Sequence, residues 1–369
     1  MNYIYLDTKI TGAARQLISY FQNHIFDYEK TIVYYKIYKK HTGDFSQLFK
    51  TAGIQAIGFN HPSQIRMTNG GVVFYLFNAQ SNCRIVANRN LTHIFVTHGE
   101  SNKISSVKPI IRIYDYVVTA GEAGKQRYLE NHIFTPYDID HGKIIAMGDT
   151  FIGKTGLSIP SPDTQEVIFY APTWEGGVPS EDYSSLSYTN LVAQTITQLA
   201  EKLRNNTIII KPHPNTGHRL KSYRHYLLNL LSQLKQNKLR PILYTNGLSL
   251  TFIEKIRLRK QGIKFVSSIN NFTALYGLCD ISAMETQFLN ENIPYILFYP
   301  VGYPLGAIYH QNNEIYGKNT IRLDEGNPVI TIQTASSFYN LKNHIISQEL
   351  VDCPINQRIN YLIRQTQHP

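Results

Sequence analysis

Short runs of Val, Ile, Phe and Tyr recur along this chain, and each is separated from the next by a longer stretch of helix formers. Runs at 31–37, 72–77, 94–97, 116–119 and 144–147 read as buried strands, and 121–131 between two of them reads as a helix. A strand that is apolar throughout is one covered on both faces, so this alternation predicts βα units on parallel sheets. A second series follows, with strands at 167–170, 207–210, 241–244, 264–266, 278–281 and 294–298. Its helices are expected at 191–203, 218–234 and 251–259, and two more close the chain at 337–349 and 355–365.

Residues 153–165 break the pattern with Gly, Ser, Pro, Asp and Thr and carry no apolar period, as a linker does. The reading is therefore an N-terminal domain over 1–155, a second over 165–335, and C-terminal helices over 336–369 that pack back on the first. At 369 residues the length suits two domains of ordinary size, and 43% hydrophobic residues can fill both cores. Disorder is not expected of a chain with 26 Tyr and 17 Phe. Three cysteines, Cys83, Cys279 and Cys353, are odd in number and without CxxC spacing, which points to a reducing compartment and away from disulfides or structural zinc.

The net charge of +10 calls for an acidic partner: nucleic acid, an anionic membrane face or a phosphorylated small molecule. Nucleic acid is disfavoured, because the basic cluster Lys255, Arg257, Arg259 and Lys260 has no aromatic ladder beside it. No apolar run approaches the roughly 20 residues of a membrane span, and the first residues lack a signal-peptide pattern, so a cytoplasmic protein is expected.

Three strand ends carry residues that suit chemistry. Thr97-His98-Gly99-Glu100 follows the third run, with Lys103 just beyond. A histidine at the carboxyl end of a parallel strand faces the ligand crevice, so His98 is either a general base or an ordinary hydrogen-bonded histidine. Lys211-Pro212-His213-Pro214 fixes a second imidazole between two prolines, as a phosphate-binding group or as part of a turn. In Asp280-Ile281-Ser282-Ala283-Met284-Glu285, the spacing of Ser282 and Glu285 predicts a capping box at a helix start, where free N–H groups also attract anions. Glu285 is alternatively a ribose-hydroxyl ligand. The chain lacks GxxxxGK[ST], HExxH, GxSxG and CxxC.

Together with Tyr170-Ala171-Pro172-Thr173-Trp174, these stations resemble, in order and over roughly residues 94–299, the CDP-glycerol:poly(glycerophosphate) glycerophosphotransferase family of teichoic-acid and capsule synthesis. The resemblance implies an α/β GT-B fold, with two Rossmann-like domains facing an interdomain cleft, the first binding acceptor and the second the nucleotide donor. It implies transfer of glycerol phosphate or ribitol phosphate from a CDP-activated donor to a hydroxyl of an anionic glycan or glycolipid primer, releasing CMP. His98 and His213 match the catalytic positions. Thr173, Trp174, Lys211, His213, Asp280, Ser282, Ala283 and Glu285 match the donor side, and Gly99, Glu100 and Lys103 the acceptor or anion side. Three departures stand out: Glu175 where many members have Arg, Ala283 in place of a second Ser, and Glu100-Ser101 in place of Thr-Pro.

A histidine and a helix N-terminus can meet phosphoryl charge without a metal, so no cofactor or metal is expected. A GT-B glycosyltransferase using a CMP- or UDP-sugar is the alternative within the same fold, and a non-catalytic nucleotide or anionic-glycan binder is the alternative outside enzymology. With the primer carried on lipid, the protein is expected to be peripheral at the inner face of the cytoplasmic membrane, through Lys36, Lys39 and Lys40.

Overall fold

The structure is a computed structural model and describes residues 1–38, 43–97, 100–300, 302–303 and 319–366. Among them, fourteen strands form two separate, wholly parallel sheets of seven. The first holds β1 (Asn2–Leu6), β2 (Thr31–Lys36), β3 (Ala56–Phe59), β4 (Val72–Tyr75), β5 (Thr92–Phe95), β6 (Tyr116–Thr119) and β7 (Ile144–Ala146) in the order β3-β2-β1-β4-β5-β6-β7. The second holds β8 (Gln165–Ala171), β9 (Thr207–Ile210), β10 (Arg240–Tyr244), β11 (Lys264–Val266), β12 (Phe272–Asp280), β13 (Tyr295–Tyr299) and β14 (Thr320–Arg322) in the order β11-β10-β9-β8-β12-β13-β14.

Each sheet is doubly wound: strand order runs outward from the first strand, then reverses on its other side. The reversal falls between β1 and β4 in one sheet and between β8 and β12 in the other. In open α/β sheets ligands bind beside such a switch point, outside the strands' carboxyl ends. Among the described residues the α-helices are α1 (Thr11–Gln22), α2 (Gly43–Thr51), α3 (Cys83–Val86), α4 (Glu122–Glu130), α5 (Pro136–Asp140), α6 (Thr189–Leu203), α7 (Ser222–Gln236), α8 (Phe252–Lys260), α9 (Met284–Asn290), α10 (Ala335–Ile345) and α11 (Arg358–Gln365).

Two compact units result. One comprises Met1–Glu100, Ser106–Gly153 and Asn343–Pro369; the other comprises Ser101–Ser105 and Lys154–Lys342. The first unit's sheet shows why the chain is rich in tyrosine. Successive side chains of a strand point to opposite faces, and β1 sends Ile4 and Leu6 into one apolar cluster while Tyr3 and Tyr5 enter another with Tyr34, Tyr75, Tyr114 and Tyr128. Buried hydroxyls there find partners: the Tyr75 hydroxyl lies 2.9 Å from His93 Nδ1, and Asn82 Nδ2 donates to Tyr114 at 2.7 Å.

The chain's end returns to this unit. Ile359 and Leu362 of α11 enter the Ile4 cluster, each burial contributing about 1.5–3 kcal/mol. Arg358 fixes the same helix by donating to Leu350 O at 2.9 Å and Thr150 Oγ1 at 3.2 Å and by pairing with Asp149. Two Rossmann-like domains in one chain, the last helix rejoining the first, are the GT-B plan.

Candidate functional site in the second unit

The site grows from the carboxyl ends of the two strands flanking the second switch point. β12 ends at Asp280, fully buried. Its Oδ2 accepts the backbone N–H of Thr173, two residues beyond the end of β8, at 2.7 Å. One carboxylate thus ties the two strand ends together. Burial pushes Asp280 up to about 7, against the polar groups of Ser185, the Thr173 hydrogen bond and the charge of Lys103.

Lys103 arrives on the segment Ser101–Ser105, which belongs to this unit although the chain on either side belongs to the other. Two tyrosines and a glutamate hold it. Ile104 N donates to the Tyr183 hydroxyl at 3.2 Å, the Tyr303 hydroxyl donates to Asn102 O, and Asn102 Nδ2 donates to Glu285 at 3.4 Å. Glu285, buried, also accepts from the Tyr295 hydroxyl at 2.9 Å. So placed, Lys103 Nζ donates to Thr173 Oγ1 at 3.0 Å and lies 5.4 Å from the centre of the Tyr183 ring. Burial holds its ammonium below the ordinary lysine range, partly offset by Asp280 and Glu181.

His213 stands on the loop after β9, its ring stacked on Trp174 with centroids 5.7 Å apart and planes 16° from parallel. Burial lowers its pKa to about 4; Lys103 adds to the fall and Glu175 opposes it. Nδ1 accepts the Asn215 N–H at 3.1 Å, which assigns the proton of the neutral ring to Nε2. The imidazole is therefore an uncharged donor at neutral pH.

Glu175 is a residue the sequence reading passed over as a mere departure. Its buried carboxylate accepts from Gly217 N at 3.0 Å, Arg219 N at 2.8 Å and Leu220 N at 2.9 Å. Arg219 returns the grip by donating to Glu175 O at 2.5 Å and Gly176 O at 2.9 Å. Trp174 and Glu175 thus hold the His213 loop at two points. The clamp requires glycine at 176, where φ is +68° and a Cβ would lie 2.5 Å from Glu181 O.

The expected residues divide accordingly. Lys103, Thr173, Trp174, His213 and Asp280 come together. Lys211 does not join them: its Nζ donates to Thr155 O at 2.7 Å and lies 5.8 Å from the centre of the Tyr244 ring. Glu100 lies in the first unit, buried, paired with Arg127 and accepting Ala120 N at 2.9 Å. A carboxylate so bound holds a turn of the first unit, and Glu100 does not join the group around Lys103. His98 and Gly99 lie outside the described residues; the residue before them, Thr97, has φ of 60°, a strained value for a β-branched side chain.

The capping box is also corrected. Residue 283 is the N-cap of α9, in helical conformation and without a side-chain cap. Ser282 Oγ accepts Met284 N at 3.3 Å and donates to Asp280 O at 3.1 Å, while Glu285 turns inward to Tyr295 instead of back to Ser282. Ala283 stands beside Ser282 as a half-buried neighbour. Lys36, expected at a membrane, lies 3.6 Å from Asp7 in an ion pair; Lys39 and Lys40 lie outside the described residues. Among the described residues no group of three or more His, Cys, Asp or Glu is placed to hold a metal ion, and no helix is long and apolar enough to cross a membrane.

No protein-family model matches the chain, and no curated protein matches it. Solved structures similar to it include a trehalose-6-phosphate synthase, at 9% identity, covering 100% of this chain and 99% of that one with a TM-score of 0.44. Anabaena HepE, in complex with UDP and glucose, is similar at 13% identity over 100% and 95% of the two chains, with a TM-score of 0.42. A glycosyl transferase family 9 protein from Veillonella parvula is similar at 10% identity over 100% and 97%, with a TM-score of 0.33. With scores this low, the fold class rests on the two doubly wound sheets themselves.

Proposed function

We propose that this chain is a polyol-phosphate transferase that takes its donor as a CDP-activated polyol, as the resemblance to the glycerophosphotransferase family implies. The observation that carries the proposal is the pairing of Lys103 with a neutral His213 at the switch point. Lys103 donates to a hydroxyl and has no carboxylate within ion-pair range among the described residues, Asp280 and Glu181 acting on it only from farther off, so its charge is not closed in a direct ion pair. A diphosphate supplies the missing negative charge and accepts from His213 Nε2.

In the proposed step a hydroxyl of a glycan or glycolipid primer attacks the β-phosphorus of the donor. The bond from that phosphorus to the oxygen bridging the two phosphates breaks, and CMP leaves with the bond's electron pair. The hydroxyl proton passes to His98. Lys103 and His213 stabilise the charge on the phosphoryl oxygens and the leaving phosphate without a metal ion, and His213 gains affinity for a proton as that charge approaches. Activity in chelator equal to that in added Mg²⁺ checks the metal-independent arrangement.

A panel of CDP-glycerol, CDP-ribitol, CMP-sugars and UDP-sugars with glycan primers, read by nucleotide release, tests the reading. CMP release from a CDP-polyol is expected, and His98→Ala is expected to lower it by about 10²–10⁴-fold. Transfer from a UDP- or CMP-sugar instead makes the protein a glycosyltransferase, and binding without turnover makes it a nucleotide-binding protein; either overturns the proposal.

A further inference from the structure

Helix α8 carries a surface that the transferase reading does not use. Its inner side is fixed: Leu258 is fully buried in the second unit's core, and Glu254, one turn earlier on the same side, pairs with Arg224 of α7 at 3.6 Å. Thr251 and Glu254 close a capping box at its start, with Glu254 N donating to Thr251 Oγ1 at 3.2 Å and Thr251 N donating to Glu254 Oε2 at 2.7 Å.

With Leu258 and Glu254 inward, the 100° advance per residue puts Phe252, Ile253 and Ile256 on the outward side. They are 77%, 77% and 38% exposed. Lys255, Arg257, Arg259 and Lys260 border them, all exposed, and Lys264 follows on β11. Scattered exposed apolar residues need no explanation, but three on the outward side of one short, capped helix, ringed by cations, do.

We infer that α8 docks on an anionic lipid surface, its three apolar side chains entering the headgroup boundary and its cations meeting lipid phosphates. Charge and size choose this occupant. A second copy would set the same cations against each other, and three side chains fall well below the area of about 1,000 Å² that a stable protein interface buries. A nucleic acid would leave Phe252 and Ile253 unused, whereas an interfacial helix needs both an apolar face and basic flanks. The inference rests on α8 alone and not on the donor, so a chain that binds vesicles yet releases no CMP still supports it.

The test is co-sedimentation of the full chain with vesicles of phosphatidylglycerol and phosphatidylcholine, and with phosphatidylcholine alone. Pelleting is expected only with the anionic vesicles. Phe252→Ser with Ile253→Ser is expected to weaken it at least tenfold. Lys255→Glu, Arg257→Glu and Lys260→Glu together are expected to weaken it by about a hundredfold or more, since each cation near an anionic membrane contributes about fivefold. These positions are exposed, and circular dichroism with Trp174 fluorescence confirms that each variant is folded. Three results overturn the inference: a parent chain that stays in the supernatant at low salt, pelleting that survives the serine pair, or a parent chain that self-associates through α8 without binding vesicles.

Discussion

The two sheets share a winding rule, yet two pairs of cations near them are held in different ways. In the first unit Arg127 of α4 pairs with Glu100, and Lys36 at the end of β2 with Asp7. In the second, Lys103 and Lys211 donate to a threonine hydroxyl and a backbone carbonyl, and burial lowers the pKa of both. A paired buried charge is a structural device, because removing one member strands the other. A desolvated cation without a paired anion costs stability and makes an anion welcome. The difference separates charges that hold the fold from charges that the proposed reading gives to a ligand.

Breaking that comparison starts with the first unit. Glu100→Ala leaves Arg127 buried with its carboxylate gone and is expected to lower stability by about 3–5 kcal/mol, with nucleotide affinity within about twofold of the parent. Chemical denaturation and nucleotide titration on one preparation check it. Equal losses in both would place Glu100 in the site after all.

Lys103→Met is the mirror experiment. Methionine keeps the side chain's packing on Tyr183 and removes an ammonium that burial disfavours. Stability is expected to stay within about 1 kcal/mol of the parent or to rise, while nucleotide-dependent turnover falls about 10²–10³-fold, as for loss of one charge-stabilising donor. A variant that unfolds readily and transfers normally once folded would return Lys103 to a purely structural role.

A smaller effect separates two groups within the second unit. His213 titrates near 4 in the fold and near 6.5 in the free chain, so the unfolded state holds the extra proton between those values. Its contribution is complete above 6.5 and is lost as pH falls toward 4. Asp280 runs the other way. Its folded value of about 7 lies above the free 3.8, so its contribution is present below 3.8 and is lost as pH rises through 7. The two slopes oppose each other in the parent. Relative to it, thermal melts of His213→Ala are expected to fall as pH rises from 4.5 to about 6.5, and those of Asp280→Asn to climb. Melts that stay parallel across that range would show that neither group is perturbed.

Much of the fold was legible because strands buried on both faces write themselves as continuous apolar runs. β6 (Tyr116–Thr119) and β9 (Thr207–Ile210) fall where those runs do. Three strands escaped: β1 (Asn2–Leu6), which is central and buried but alternates Tyr with Ile and Leu, and two at the edges. β3 and β14 end their sheets, and β3 exposes Ile57, so neither needs an apolar run. β12 was read too short because Gly277 interrupts its pattern, yet there the Phe288 ring lies where a side chain would begin. The site's motifs could be seen, but their partners could not. Lys103 meets Thr173 across 70 positions, and Glu175 meets Leu220 across 45. Local spacing also misled where a tertiary contact outbid it: Glu285 has capping-box spacing, yet the Tyr295 hydroxyl takes its carboxylate.

Ser282 sharpens the comparison with the smallest effect, because both of its readings survive at one atom. Its Oγ accepts Met284 N at 3.3 Å, a long bond, and donates to Asp280 O at 3.1 Å. As a hydroxyl closing the turn before α9 and no more, Ser282→Ala costs about 0.5–1 kcal/mol, within the range for one ordinary hydrogen bond. As a donor-phosphate ligand it gives up those bonds when nucleotide binds, and the hydroxyl then donates to phosphate with charge assistance. Affinity in that case falls more than stability does. The two measurements on Ser282→Ala, nucleotide titration against chemical denaturation, are expected to differ, with CDP binding about tenfold weaker, or about 1.4 kcal/mol, against the smaller stability loss. Ser282→Thr keeps the hydroxyl and is expected to restore most of the binding. If alanine lowers both by the same amount, or threonine restores neither, Ser282 serves the helix start and the donor's phosphates rest on Lys103 and His213 alone.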